Sequence, residues 1–304
     1  MSTTMVTGGL GYVGRHLVAH LAREGDRVVS LNRDFADSDD PRVVCVQGEL
    51  FDVPRLVRTL EEHGVERIVH TAAMSHPELS IDFPVATFAA NVDGTVHLLE
   101  AARLAGVRRV VNFSSHCSYG HADADPIPED APLHPTTPYG VTKVATELMG
   151  SVYRRLYGVE VVSLRVSEVY GPGNRMHTVL TDMLRAALDG EPYALAEGGD
   201  HRVEYIHVED AAAAGVAAAR SERLGQDVYN ITGDRQVTLS EAAGVVRALV
   251  PGASIEIGPG YIPTLDRQGR QDITAAGRDL GYAPRWTLED GVRAYADHLR
   301  AHPH

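Results

Sequence analysis

Residues 5–14 read Met5-Val6-Thr7-Gly8-Gly9-Leu10-Gly11-Tyr12-Val13-Gly14, a β-branched run that breaks on glycines and continues as a helical pattern. Gly9, Gly11 and Gly14 stand at the G-x-G-x-x-G spacing. A strand that feeds such a turn and then a helix builds a dinucleotide site. The glycines permit the tight turn, the approach of backbone to a pyrophosphate and close helix–strand packing, and the helix N-terminus offers free N–H groups to the anion. The spacing alone also fits a turn that merely packs. What separates the two readings is a second strand that ends about 20 residues on, where such a site needs a ribose ligand.

That second strand, Arg27–Leu31, ends in Asn32-Arg33-Asp34. Asn32 takes the strand end, where a carboxylate would bond the ribose hydroxyls of NAD. Arg33 follows and can pair with a 2′-phosphate, which tips the expectation toward NADP. A shift of one residue makes Asp34 the ribose ligand and NAD the cofactor. Glu49 and Leu50, after a third strand at Val43–Gln47, are expected at the adenine.

Beyond the turn, short apolar strands alternate with longer helical patterns: strands at Arg67–Thr71, Arg109–Ser114 and Glu160–Val166, helices at Val53–His63, Ala90–Ala105 and Tyr139–Tyr157. Such alternation gives βαβ units and a parallel sheet with helices on both faces. The fold class expected is therefore α/β, a doubly wound parallel sheet over residues 1–170, with a smaller C-terminal α/β substrate lobe over 171–304. Late core elements near 204–232 interleave with that lobe. The composition narrows the partners. With 28 Lys and Arg against 41 Asp and Glu, the chain carries −13, which disfavours nucleic acid and anionic membrane surfaces. Its longest apolar stretch, Ala211–Ala219, is far short of the ~20 residues a bilayer needs. No basic leader with an apolar segment precedes the first strand, and the two cysteines, Cys45 and Cys117, make no disulfide framework, so a cytoplasmic location is expected.

The fifth candidate strand ends in Ser114-Ser115, and Tyr139-Gly140-Val141-Thr142-Lys143 opens the following helix. Tyr139 and Lys143 share one helix face. A phenol has a pKa near ~10 and is a poor base unless a cation stabilises the phenolate. Lys143 is placed to do so, Ser115 to hold the substrate oxygen, and Tyr139 to act as general acid/base while hydride moves to or from a nicotinamide. A lone Y-x-x-x-K reads equally as an amphipathic helix. With the glycine turn and the upstream serine, catalysis is the better reading.

Together these motifs resemble the extended short-chain dehydrogenase/reductases, the NAD(P)-dependent epimerase/dehydratase group. The resemblance also rests on His70-Thr71-Ala72-Ala73, Asn91-Val92-Asp93-Gly94-Thr95, Tyr119-Gly120, Tyr170-Gly171-Pro172-Gly173, Tyr205-Ile206-His207-Val208-Glu209-Asp210 and Asp279-Leu280-Gly281-Tyr282. It covers nearly the whole chain. It implies a Rossmann core, catalysis by Ser115, Tyr139 and Lys143, and cofactor contacts from the glycine turn, Ala72, Ala73 and Asn91. It also implies a homodimer joined through the helices near 90–105 and 139–157.

The sequence departs from that family twice. Where its 4,6-dehydratases carry an Asp-Glu pair after the active-site hydroxyl, this chain has His116-Cys117, so sugar-nucleotide dehydration is not expected. His116, Cys117 and His121 match no common zinc spacing, and no metal is assigned. Positions where nucleotide-sugar relatives place Asn, Arg and Arg look here like Glu168, Val203 and Gly258, with Arg202, Arg267 and Arg270 as neighbouring cations. One gained acid and two lost cations disfavour a diphosphate. Candidate pocket residues are Ser75, His76, His116, Cys117, Glu168 and His177. The expected function is an NAD(P)-dependent oxidoreductase that interconverts a secondary alcohol and a ketone on a sugar-like or other polar small molecule. The alternative is a nucleotide-sugar epimerase that retains NAD, like a UDP-hexose 4-epimerase. A third reading is a non-catalytic NAD(P) sensor.

Overall fold

The computed structural model describes residues 2–302; residue 1 and residues 303 and 304, the end of the expected lobe, lie outside it. The first part of the chain runs β1 (Thr3–Thr7), α1 (Tyr12–Arg23), β2 (Arg27–Asn32), β3 (Val43–Gln47), α2 (Val53–Glu62), β4 (Arg67–His70), α3 (Pro77–Asp82), α4 (Pro84–Phe88), α5 (Gly94–Leu104), β5 (Arg109–Ser115), α6 (Pro138–Tyr157) and β6 (Glu160–Val166). The second part runs β7 (Glu168–Tyr170), α7 (Val179–Asp189), β8 (Tyr193–Leu195), β9 (Arg202–His207), α8 (Val208–Arg220), β10 (Val228–Ile231), β11 (Gln236–Thr238), α9 (Leu239–Leu249), β12 (Ile255–Ile257), α10 (Thr274–Leu280) and α11 (Leu288–Ala301). The helix expected over Ala90–Ala105 begins as a π-helical turn, Ala89–Asp93, inside which Asn91 is buried.

Seven strands form one parallel sheet in the order β10-β6-β5-β4-β1-β2-β3. Successive residues of each strand serve opposite faces, as the two-residue strand period requires. Met5, Val29, Ile68, Val110 and Val161 join the core under α2, α5 and α6. Val6, Val28, Val69, Val111 and Val162 join the core under α1 and α8. Each such side chain contributes roughly 1.5–3 kcal/mol of burial. Because both faces are covered, the strands read as mostly apolar runs rather than as a strict alternation.

The alanine-rich α8 is small-faced because it packs tightly onto α1 and β5: a Cβ added at Gly215 would stand 2.8 Å from Leu17 and 2.9 Å from Phe113. The helix α8 and the strand β10 thus complete the seven-stranded core. β9 instead pairs in parallel with β7 and antiparallel with β11. β8 and β12 form a separate parallel pair. Helices α7, α9 and α11 close over these strands around Leu180, Leu184, Leu239, Val246, Val292 and Tyr295. Among the described residues no helix is long and apolar enough to cross a membrane. In the main sheet β1 lies between β2 and β4, so the strand order reverses at its C-terminal end. Open α/β sheets bind ligands in the crevice at such a point.

Candidate active site

The glycine turn sits at that reversal. Gly8 donates to Leu31 O and Gly11 donates to Gly8 O, each at 2.8 Å. A Cβ at Gly14 would stand 2.0 Å from Gly8 O, so only glycine lets α1 begin there. Gly8 takes φ +70°, and a Cβ there would stand 3.0 Å from the Ala72 backbone. The N-terminus of α1 has no side-chain cap and no acid in its first turn. By contrast, Asp52, Thr137 and Thr287 cap α2, α6 and α11. A cradle with no room for a side chain, under uncapped helix N–H groups, fits a dinucleotide pyrophosphate.

Asn32 is buried beside the turn. Its Oδ1 accepts from Leu10 N at 2.8 Å, and its amide donates to Ser30 Oγ at 2.9 Å. Arg33 and Glu49 are exposed, and Leu50 packs on Gly94. Tyr12 donates to Gly171 O at 3.3 Å, tying α1 to the chain after β7, and Val13 packs on the neighbouring core. Ala73 is exposed beside the half-buried Ala72. The polar atoms of Asn91 are taken up internally. Its Oδ1 accepts from Met74 N at 2.8 Å, and its amide donates to Met74 O and to Thr142 Oγ1. Asn91 thereby holds the chain after β4 against α6. On the far side of α1, His16 Nδ1 and His20 Nε2 each lie 2.5 Å from Glu209, clamping α1 to α8.

The candidate catalytic residues Ser115, Tyr139 and Lys143 meet where β5 ends and α6 begins. Thr137 caps α6 through Gly140 N, Pro138 occupies its first turn, and Ser80 Oγ accepts from Tyr139 N at 3.0 Å. These contacts fix the phenol. Burial raises the Tyr139 pKa well above its ordinary value, the neighbouring Cys117 adds to the rise, and a hydrogen bond from Ser115 opposes it. Lys143 Nζ donates to Phe113 O at 2.7 Å and lies 5.4 Å from the centroid of the Tyr139 ring. Burial brings the Lys143 pKa down to about 8, against the pull of Glu147 and Cys117. Behind them the His70 ring bridges Thr7 and Thr95, and burial holds its pKa at about 3, so it is a neutral structural imidazole.

One turn beyond Lys143, Glu147 gathers the surrounding backbone. It accepts from Arg165 at 2.7 Å, from Ser118 at 3.2 Å and from Ser114. Arg165 stacks on Tyr119, whose hydroxyl donates to Asn230 Oδ1 at 2.7 Å. Losing one partner of so buried a pair costs roughly 3–5 kcal/mol. This network pins β5, β6, α6 and the turn after β5 in one geometry.

That turn, a 3-10 segment, runs over His116–Ser118 and carries His116 and Cys117. Cys117 N donates to Ser115 Oγ at 3.2 Å, and Cys117 Sγ lies 3.9 Å from His116 Nε2. Glu168 and Glu204 both act on the charge of His116, and burial raises the pKa of each. Of the candidate pocket residues, the structure brings together His116, Cys117 and Glu168. It does not bring in His177, whose side chain is 86% exposed and paired with Asp182. His76 serves as the N-cap of α3, and Ser75 is exposed. Glu204, Gln268 and Gln271 went unread in the sequence because they lie far along the chain and no local pattern marks them. Gln271 N and Nε2 donate to Glu204, and Gln268 holds His116. Val203 is buried in the lobe core, while the Arg202 side chain reaches the surface.

The family model for the NAD-dependent epimerase/dehydratase family matches residues 4–232. The chain is 33% identical over 310 residues to the UDP-glucose 4-epimerase of Mycolicibacterium smegmatis, covering 98% of each. It is 30% identical over 314 residues to a dTDP-glucose 4,6-dehydratase of Streptomyces antibioticus, covering 97% of this chain and 92% of the relative. The solved UDP-glucose 4-epimerase of Thermus thermophilus in complex with NAD superposes with a TM-score of 0.87 at 28% identity, covering 99% of both chains.

Proposed function

The chain belongs to the NAD-dependent epimerase/dehydratase family, and we propose that it is a nucleotide-sugar 4-epimerase. The observation that carries this reading is the convergence of Ser115, Tyr139 and Lys143 beside a turn in which His116-Cys117 replaces the carboxylate pair of the dehydratases. The hydride machinery is intact, and the turn lacks the acids that would drive loss of water. Similarity to UDP-glucose 4-epimerases supports this reading over net oxidation or reduction.

A nicotinamide dinucleotide held in the glycine cradle would supply the hydride acceptor and donor for such an exchange at the carbinol carbon. Tyr139 removes the hydroxyl proton as the ketone forms and gives it back as the alcohol is restored. Ser115 holds the substrate oxygen against the phenol. Lys143 places a cation beside Tyr139, which favours the phenolate that burial otherwise resists. Gly8, Gly11 and Gly14 would admit the pyrophosphate to the backbone, and Asn32, which holds the turn through Leu10 N, would stand on the ribose side. NAD is the cofactor of the family. A preference for NADP rests on the absence of a carboxylate at Asn32 and on the exposed Arg33. Cytoplasmic location and a homodimer complete the proposal. The dimer is supported by apolar side chains exposed on α6, namely Val141, Leu148, Leu156 and Tyr157, and by Leu104 on α5.

One observation favours a second reading. Glu168 and Glu204 flank His116, and Val203 is buried where relatives place an arginine, so the wall offers fewer cations to a diphosphate than the family leads one to expect. The second reading is an oxidoreductase of a sugar without a nucleotide, releasing its cofactor each turnover. Incubation with NAD and either UDP-glucose or UDP-galactose, followed by proton NMR of the sugar, separates the two. The 4-epimer forming from both directions supports the epimerase. No interconversion, together with turnover of a free sugar, sugar acid or cyclitol, supports the second reading.

A further inference from the structure

We propose that Glu147, kept ionised by Arg165, is a positioning residue that holds the charge on Lys143 and so sets the upper pH limit of activity. Lys143 serves the Tyr139 phenol under the function proposed above, and the limit on activity rests on that reading. The hold of Glu147 on Lys143 does not.

Lys143 is the only lysine among the 28 Lys and Arg of the chain. An arginine keeps its proton throughout the range in which proteins fold, whereas a buried ammonium gives its proton up readily. The one Lys or Arg charge that can be discharged therefore stands at the candidate active site. Its hydrogen bond goes to Phe113 O at 2.7 Å, a neutral acceptor that does not balance the charge. Lys143 and Glu147 are four residues apart on α6, a spacing that sets side chains on one face. Both are buried, so salt and water screen their attraction little.

The carboxylate is anchored on three sides. Arg165 Nε donates to Oε1 at 3.1 Å and Arg165 Nη2 to Oε2 at 2.7 Å, a two-pronged contact between side chains each 4% exposed. Ser118 donates to Oε1 at 3.2 Å, and Ser114 donates to the same oxygen. An ionised carboxylate is the acceptor that such a set of donors requires. Arg165 is itself held by Glu129 O at 2.8 Å and by the face of Tyr119. One turn of α6 thus grips two successive residues of β5, Phe113 through Lys143 and Ser114 through Glu147. The Ser118 contact fastens the far end of the turn that follows Ser115.

The other groups that face Lys143 do not replace this charge. On β4 the His70 ring is neutral, its nitrogens taken by Thr7 and Thr95. Tyr139 offers a ring face, and Cys117, in the turn after β5, pulls less than Glu147 does. Burial works against the ammonium, whose pKa lies at about 8 with Glu147 in place. Without that carboxylate the ammonium meets the same burial with no fixed counter-charge, and its proton leaves at lower pH.

Because the chain has a single lysine, protein labelled with carbon-13 at lysine Cε gives one signal, whose shift against pH reads the charge of Lys143 without substrate. The wild-type midpoint is expected at about 8. Glu147→Gln is expected to lower it by at least about one unit, and Glu147→Asp, which keeps the charge, to restore at least about half of that drop. Glu147→Gln strands a buried guanidinium, so Glu147→Gln/Arg165→Met, which removes both charges, is titrated beside it and is expected to move the same way. An unmoved midpoint in either variant, or an equal drop in Glu147→Asp, overturns the hold of Glu147 on Lys143. In the same series the kcat of NAD-loaded protein with UDP-glucose is followed against pH. Its upper edge is expected to track the lysine midpoint while KM changes little. A midpoint that moves while the edge stays overturns the link to activity. If neither UDP-glucose nor UDP-galactose is turned over, the epimerase reading fails and the lysine midpoint alone decides the role of Glu147.

Discussion

The Lys143 ammonium stands 5.4 Å from the centroid of the Tyr139 ring while its proton is held by Phe113 O at 2.7 Å. A cation is therefore kept close to the phenol by backbone on the end of β5, in a place where burial penalises the charge of both residues. Two consequences follow from that arrangement.

Removing the phenol hydroxyl in Tyr139→Phe takes away the acid/base group while leaving the ring packed. The turnover number is expected to fall by about 10²–10⁴-fold with cofactor affinity preserved. Steady-state kinetics beside cofactor titration checks this.

Lys143 is a stability cost, whatever it contributes to the proposed chemistry. A pKa brought from 10.5 to about 8 in the folded protein means the buried charge destabilises the fold throughout the range below about pH 8, and that penalty is relieved as pH rises from about 8 toward 10.5. The shift corresponds to roughly 3 kcal/mol, offset in Lys143→Met by the lost hydrogen bond to Phe113. Lys143→Met is expected to be more stable by about 1–2 kcal/mol near neutral pH and nearly inactive, as denaturant unfolding and an activity assay would show. In the wild type, activity falls as pH rises through about 8 and Lys143 loses its proton.

The cofactor choice is tested at Asn32. Its side chain is engaged with Leu10 N and Ser30, and it carries no charge to repel a 2′-phosphate. Asn32→Asp is expected to shift the ratio of NAD to NADP affinity toward NAD by at least about tenfold, measured by titrating both cofactors. An unchanged ratio would assign the choice to other residues.

Much of this architecture is written in local pattern. The strands of the seven-stranded sheet run four to seven residues of mostly apolar side chains between glycines and caps, and the glycine turn announces the cradle. The lobe strands β7, β8, β11 and β12 have three residues each, too few for a two-residue period to show. The juxtaposition of the candidate trio is likewise legible, because Tyr139 and Lys143 share one helix face and Ser115 ends a strand. Glu204 and Gln268 are not, since their partners lie tens to more than a hundred residues away and meet them only after the lobe folds over the core. Asn91 is marked by its motif, whereas its hydrogen bonds to Met74 and Thr142 are contacts that no local pattern shows.

Glu209 binds α1 to α8 through His16 and His20, and these contacts hold its carboxyl far below the usual range. A depressed carboxylate pKa stabilises the fold fully above its unfolded value near 4.5, and that contribution is lost as pH falls below it. Glu209→Ala is expected to lose about 1–2 kcal/mol at neutral pH, less than the shift alone implies because the site is partly solvated. Its acid unfolding should be shallower than that of the wild type. Parallel urea titrations at neutral and acid pH check both points.

The exposed stripe of Val141, Leu148 and Leu156 recurs at seven- and eight-residue spacing, one face of α6. A second copy of the chain would cover it. Leu148→Glu with Leu156→Arg is expected to convert a dimer to a monomer in sedimentation velocity, and a wild-type monomer would remove this face from the account.

The most direct test of the central claim follows a single hydrogen. UDP-galactose deuterated at C4 is incubated with the protein and unlabelled NAD, and the UDP-glucose formed is examined by mass spectrometry. Deuterium retained at C4, with no reduced cofactor accumulating, is the predicted result. Loss of the label to free reduced cofactor in step with substrate consumed would contradict it.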